Sequence, residues 1–304
     1  TDRPEAHDVV AGFRRVIDEF DNRVLIGEIY LPIERLVAYY GESLMGLHLP
    51  FNFQLLSVAW TAPDVAALIE TYETALPEGG WPNWVLSNHD RPRAAARVGQ
   101  EQARVAAMLL LTLRGTPTLY YGDELGVGHV EIPPDRIQDP CGKRDPNFGR
   151  DPSRTPMQWD ASPFAGFSTH APWLPLTPNY EMRNVEVMRQ DATSILSLVR
   201  SLLHYRRRRA ALKEGDWTLL SQDSSILAYR RGRGEYSIVV VLNFSGLPRI
   251  WSKPAGGELR VAISTHGDRR AETVGTTVNL RANEGLVMET ACATNDKPID
   301  PAAS

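Results

Sequence analysis

The spacing of apolar positions over residues 1–126 switches repeatedly between helical and strand periods. Val9, Phe13, Val16, Ile17 and Phe20 share one helical face, and Asp8 is placed to cap that helix. Arg23 to Ile29 then reads as a short buried strand, Val24-Leu25-Ile26, halting at Gly27-Glu28. After a loop and a short helix, Leu47 to Phe53 is a second strand candidate. Ala62-Pro63-Asp64 opens a helix whose apolar side is Val65, Leu68, Ile69, Tyr72 and Leu76. Trp84 to Ser87 is the third strand, stopping at Asn88-His89-Asp90. A helix from Gln100 to Leu113 precedes the fourth strand, Thr118 to Tyr121, which stops at Gly122-Asp123-Glu124. Strands separated by helices predict βαβ units on a parallel sheet. Polar residues just past the strand ends, Glu28 and then Asn88-His89-Asp90, lie where such sheets bind ligands.

Residues 127–178 lose this periodicity and are rich in Pro, Asp, Arg and Gly. So long a segment is expected to be functional, and Phe148, Trp159, Phe164, Phe167 and Trp173 are expected to anchor it. Residues 179–213 are dominated by one long helix, Asn184 to Arg209. Residues 214–293 turn to short β segments: Trp217–Leu220, Ile226–Arg230, Tyr236–Asn243, Leu259–Ile263, Thr276–Leu280 and Gly285–Glu289. Glycine and polar turns between them predict a small antiparallel domain. Residues 294–304 read as a polar tail.

The 304 residues are 42% hydrophobic and 23% charged, enough apolar material for a sizeable core. Net charge is −4 with both signs interspersed, and no basic stripe points to nucleic acid. The run Arg206-Arg207-Arg208-Arg209 is read as a solvated helix end, favourable to the helix dipole. Cys141 and Cys292 match no metal-ligand spacing and are read as reduced bystanders. No apolar run is long enough to span a bilayer, and the expected location is the cytoplasm. The chain opens Thr1-Asp2-Arg3, and the expectation is a fragment of a longer gene product.

Three segments carry a specific resemblance. Val24-Leu25-Ile26-Gly27-Glu28 resembles the fifth-strand motif of the α-amylase family, glycoside hydrolase family thirteen. Trp84-Val85-Leu86-Ser87-Asn88-His89-Asp90 resembles its seventh-strand motif. Arg150 to Asp160, Arg-Asp-Pro-Ser-Arg-Thr-Pro-Met-Gln-Trp-Asp, resembles a loop of the α-glucosidase and oligo-1,6-glucosidase branch. Gly115 to Glu124 is similar to the eighth strand. The resemblance implies an α/β fold: the C-terminal half of a TIM barrel, strands five to eight, in residues 1–126, then a small antiparallel β-sandwich. It implies Glu28 as general acid/base, Asp90 as transition-state stabiliser, and His89 and Arg150 as contacts to the non-reducing sugar of an α-glucoside oligosaccharide. Arg154 either joins them or braces the loop through Asp151 or Asp160; Arg91 and Arg93 are weaker candidates. His89 could otherwise be a satisfied core histidine, and Trp159 and Trp173 are read as loop packing. No cofactor, metal or calcium site is expected.

In the family the nucleophilic aspartate ends the fourth strand, and no such strand precedes Val24. The chain is therefore expected to be inactive alone and to pair with an N-terminal half of the barrel. Two alternatives stay open. One is a transglycosylating relative such as a sucrose isomerase. The other is a non-catalytic partner of the amino-acid transporter heavy-chain type.

Overall fold

The computed structural model describes residues 2–233, 237–254 and 257–290. The proposed tail, Cys292 and Tyr236 lie outside the described residues. Helix α1 spans Pro4–Ile17 and starts on the proline, whose missing N–H suits a first turn; Asp8 lies inside it and is not the cap. Its apolar stripe does form one face, but that face is open: Val9, Phe13 and Val16 are more than half exposed, as is Phe20 just beyond.

Strand β1 is only Ile26–Gly27, running parallel to β2, Leu49–Pro50, with α2, Ile33–Leu36, between them. It is not the buried strand expected, since Val24 and Ile26 are about half exposed (58% and 48%). A Cβ at Gly27 would stand 2.1 Å from Leu47 Cδ1, so a larger residue there would have to displace the Leu47 side chain. Helix α3, Ala62–Ala75, begins as expected, with the Thr61 hydroxyl accepting from the Asp64 N–H. Strand β3, Asn83–Val85, follows, joined to the end of β2 by a parallel Asn52–Trp84 bridge. Helices α4, Ala94–Val98, and α5, Gln100–Thr112, lead to β4, Thr116–Thr118, parallel to β3. The four short strands thus lie side by side in chain order and point the same way.

The long segment carries α6, Pro140–Arg144, among 3₁₀ turns. Four of the five aromatic residues do not anchor it: Phe148, Trp159, Phe167 and Trp173 are half or more exposed, whereas Phe164 is partly buried. Val127, Val130, Met157, Ala165 and Leu174 are among its buried apolar residues. The expected long helix is two, α7 Val185–Gln190 and α8 Ile195–Arg208, followed by α9, Ala210–Lys213. The break is chemical. Asp191 Oδ1 takes the N–H and hydroxyl of Thr193, and the Ser194 hydroxyl caps α8 through the Ser197 N–H. The arginine run is only partly solvated. Arg206 is 9% exposed and donates to the carbonyls of Leu111, Leu113 and Gly115, while Arg209 pairs with Glu289.

Eight strands follow: β5 Trp217–Gln222, β6 Ile226–Arg231, β7 Ile238–Asn243, β8 Arg249–Ser252, β9 Leu259–Ser264, β10 Thr273–Val274, β11 Thr277–Leu280 and β12 Gly285–Thr290. The sequence pattern missed β8 and β10. An antiparallel sheet of order β10-β9-β12-β7-β6-β5 has beside it the pair β11-β8. Alternate residues of the large sheet (Ile226, Ala228, Val239, Val241, Met288) share a core with Trp251, Val278 and Leu280 of that pair. Leu227, Tyr229, Val240, Leu242 and Val287 point the other way, into one core with α3, α5 and α8. Each such side chain, fully buried, contributes about 1.5–3 kcal/mol. Gln102 of α5 also donates to the Asn243 carbonyl and Asn283 Oδ1, and Arg231 donates to the Thr112 carbonyl.

Candidate active site

Parallel strands share one direction, so the residues leaving β1, β3 and β4 open on the same side. Glu28 and Tyr30 leave β1; Asn88, His89 and Asp90 leave β3; Tyr120 and Tyr121 leave β4. Tyr30 is set by stacking on Phe53, 4.3 Å between ring centres, and Phe53 stacks in turn on Phe51. Its phenol oxygen accepts from Asn88 Nδ2 at 2.5 Å. Asn88 Oδ1 accepts from the Asp90 N–H at 3.0 Å, a local turn that aims the Asp90 side chain. Burial pushes the Tyr30 phenol above its ordinary range; the Asn88 bond opposes this, and the Asp90 and Glu28 carboxylates nearby add to the rise. Tyr30 thus lies within electrostatic reach of both candidate carboxylates.

Asp90 is held by cations. Arg150 Nη1 and Arg154 Nη2 reach its Oδ1 at 3.1 and 3.0 Å, and His89 Nε2 lies 3.4 Å away. All three contacts fall on Oδ1, and Oδ2 has no hydrogen-bond or ion-pair partner among the described residues. Arg150 is clamped from behind by Asp139, whose buried carboxylate accepts Nε at 2.9 Å and Nη2 at 2.7 Å. Those bonds hold the Asp139 carboxyl well below the usual range, against the effect of burial, and the Arg150 and Cys141 N–H groups help. Asp151 fixes the backbone ahead of that clamp, taking the N–H groups of Gln138 and Asp139.

Arg154 does not brace the loop through Asp151 or Asp160. Its Nε donates to the His89 carbonyl at 3.0 Å, so both its contacts are to the segment leaving β3. Asp160 instead takes the Ser162 N–H and hydroxyl. The loop is stitched down by Ser153 Oγ to the Arg91 carbonyl, Tyr120 to the Ser153 carbonyl and Tyr121 to the Thr155 carbonyl. His89 is no core histidine: its side chain is 52% exposed. Arg93 is scaffold, 1% exposed, donating to the Tyr121 carbonyl with its guanidinium over the Tyr120 and Tyr121 rings. Arg91 lies 5.9 Å over the Tyr30 ring. Trp159 and Trp173 are not packed into the loop; they are 50% and 77% exposed.

Glu28 leaves β1 exposed, so the residues around it do not supply the desolvation that acid/base work requires. Behind the site, both carboxylate oxygens of Asp123 are shut off from solvent, with the Ser87 hydroxyl and the Arg93 guanidinium nearby. Sequence reasoning missed Tyr30 and Asp139. Tyr30 had a signal, since it stands two residues beyond Glu28 and so on the same side of an extended chain. Asp139 had none, because its partner lies across an irregular loop. Among the described residues no group of three metal-ligating side chains occurs.

The profile of the family described as "Alpha amylase, catalytic domain" matches residues 1–215. The salivary alpha-glucosidase of Anopheles gambiae is 33% identical over 320 residues, covering 97% of this chain and 54% of the relative. The amino acid transporter heavy chain SLC3A1 of Mus musculus is 31% identical, covering 93% and 43%. The crystal structure of the alpha-glucosyl transfer enzyme XgtA superposes with a TM-score of 0.86 at 31% identity, covering 94% of this chain and 54% of that one. The chain spans about half the length of the curated relatives it matches.

Proposed function

The chain belongs to the alpha-amylase family, a glycoside hydrolase lineage with a TIM-barrel fold and an antiparallel C-terminal sheet, and we propose that it carries one side of a retaining exo-acting α-glucosidase site. The observation that carries this reading is Asp90, gripped on one oxygen by Arg150 and Arg154 and joined through Asn88 and Tyr30 to the surroundings of Glu28. Breaking a glycosidic bond requires a proton for the leaving oxygen and relief of positive charge at the anomeric carbon. Glu28 gives the proton and later takes one from the attacking water. Asp90, through its Oδ2, holds sugar hydroxyls and favours the oxocarbenium-like state. His89 and Arg150 hold the terminal glucose of a short α-glucoside, and Arg154 fixes Asp90 in place.

The covalent step needs a second carboxylate across the bond, about 5–5.5 Å from the first. We place that nucleophile outside residues 1–304, on an N-terminal half that completes the barrel. Two features support this. Strands β1 to β4 form an open parallel row, and the apolar residues Phe13, Val16, Val24 and Ile26 near its first edge are exposed. Such a half would cover those residues and desolvate Glu28. The purified 304-residue chain is expected to turn over p-nitrophenyl α-glucoside at no enzyme-like rate. Robust turnover that is lost on Glu28→Gln would overturn this division of the site.

Two observations favour neighbouring readings. Similarity to an alpha-glucosyl transfer enzyme leaves a sugar hydroxyl as an alternative acceptor to water. Similarity to a transporter heavy chain suggests a non-catalytic partner role, for which the caged Asp90 and the retained Glu28 have no physical use.

A further inference from the structure

Outside the candidate site, a cleft of about 380 Å³ opens between the start of α5 and the α7–α8 turn, within the size range of small-molecule sites. Two arginines line it, Arg104 of α5 and Arg183 just before α7. Arg104 is tethered by Nε to the Thr265 carbonyl at 2.7 Å and by Nη2 to the Thr193 carbonyl at 2.8 Å. Arg183 Nη1 donates to the Leu125 carbonyl at 2.8 Å and to the Gly126 carbonyl at 3.3 Å, which ties the end of the long loop to the turn at its start. These tethers fix both guanidiniums in place but leave their charges unanswered.

Both arginines are partly buried, and neither makes an ion pair among the described residues. Arg104 Nη1 and Arg183 Nε and Nη2 have no hydrogen-bond partner among those residues and are not sealed from solvent, so a ligand in the cleft meets free donors. Burial lowers the pKa of both groups; at Arg104 the Asp191 carboxylate opposes this and the Arg183 charge adds to it. The two cations are therefore close enough to repel. Two carboxylates also line the cleft. Glu101 is exposed, and Asp191 turns its Oδ1 to the N–H and hydroxyl of Thr193 at 2.8 and 2.7 Å. Neither closes a bond to a guanidinium. Donors already ordered on backbone carbonyls bind an anion with little further entropy cost. A phosphoryl group suits this pair best, because its charge and three acceptor oxygens can bridge two guanidinium forks at once. Met182 and Val187, 76% and 43% exposed, form an apolar rim with room for the organic part of an ester.

We propose that this cleft is a binding site for a phosphoryl group, held between Arg104 and Arg183. The test is isothermal titration of the 304-residue chain with inorganic phosphate and with glycerol phosphate, near neutral pH and at an ionic strength fixed with sodium chloride. Saturable binding is expected. Arg104→Gln and Arg183→Gln should each weaken it by about tenfold or more, the size of one lost charge-assisted contact. Val187→Glu places a negative charge on the exposed rim and should weaken binding without cutting either tether, so the test survives a folding defect in the arginine variants. Arg208→Gln removes an exposed cation at the far end of α8 and should leave the affinity unchanged. Tighter binding of the ester would identify a phosphorylated metabolite as the occupant, and tighter binding of inorganic phosphate the free ion; either result keeps the site. No saturable binding of either probe, binding that survives both Arg183→Gln and Val187→Glu, or an equal loss in Arg208→Gln would overturn it.

Discussion

Replacing Asp123 by Asn tests how this chain tolerates a buried acid behind its candidate site. Burial pushes the Asp123 carboxyl from 3.8 up to about 7; the Ser87 hydroxyl and the Arg93 guanidinium beside it favour the charged form but do not outweigh the loss of water. The sign follows from linkage. The unfolded chain releases this proton near pH 4, whereas the folded chain keeps it until near pH 7. Stability is therefore undiminished below pH 4, falls as pH rises through that window, and levels off above it. The full effect is roughly 4 kcal/mol at 1.36 kcal/mol per pH unit. Between pH 5 and pH 8 the same arithmetic leaves about 2.6 kcal/mol. Asparagine has the same shape and no proton to lose, so it removes this dependence. Urea unfolding of parent and Asp123→Asn at both pH values, compared as the difference between the two proteins, isolates the group from every other titration. The variant should gain about 2–3 kcal/mol relative to the parent on going from pH 5 to pH 8. A parent–variant difference that stays constant within about 0.5 kcal/mol would show that Asp123 does not titrate in this window.

Arg206→Leu should strip the donors from the Leu111, Leu113 and Gly115 carbonyls and lower unfolding stability by roughly 3 kcal/mol; a urea-derived loss below about 1 kcal/mol would count against a structural role. The open face of α1 should make the chain bind an apolar dye and associate on size-exclusion chromatography, and Phe13→Lys with Phe20→Lys should weaken both. A parent that runs as a clean monomer without dye binding would contradict the view that this face has a partner.

How much could be read in advance depended on whether a residue's partner was local. The α3 boundary was legible because Thr61, Pro63 and Asp64 act within one turn. The strand ends were legible because polar residues interrupt apolar runs at Glu28 and Asn88. The break at 191–194 was not, since apolar positions continue in helical register across it while Asp191 and Ser194 compete for the backbone. Arg206 looked like one solvated cation among four. Its burial is decided by the carbonyls of Leu111, Leu113 and Gly115, more than 90 residues away in sequence. In the site, His89, Asp90, Arg150 and Arg154 were named in advance and are found together. The Asp139 clamp and the Tyr30 link depend on loop geometry that no periodicity encodes.

The large C-terminal sheet has no free face on its inner side: Val240, Leu242 and Val287 complete the core of α5 and α8, and Gln102 and Arg231 cross the junction with hydrogen bonds to backbone. The portable unit in this protein is therefore not the β-domain that begins near residue 214. A chimera that exchanges those strands with a relative's would leave α5 facing a foreign surface, with Gln102 and the Thr112 carbonyl stranded. A crossover placed ahead of Trp60 and α3 would move the junction intact, and with it β3, β4 and the arginine loop.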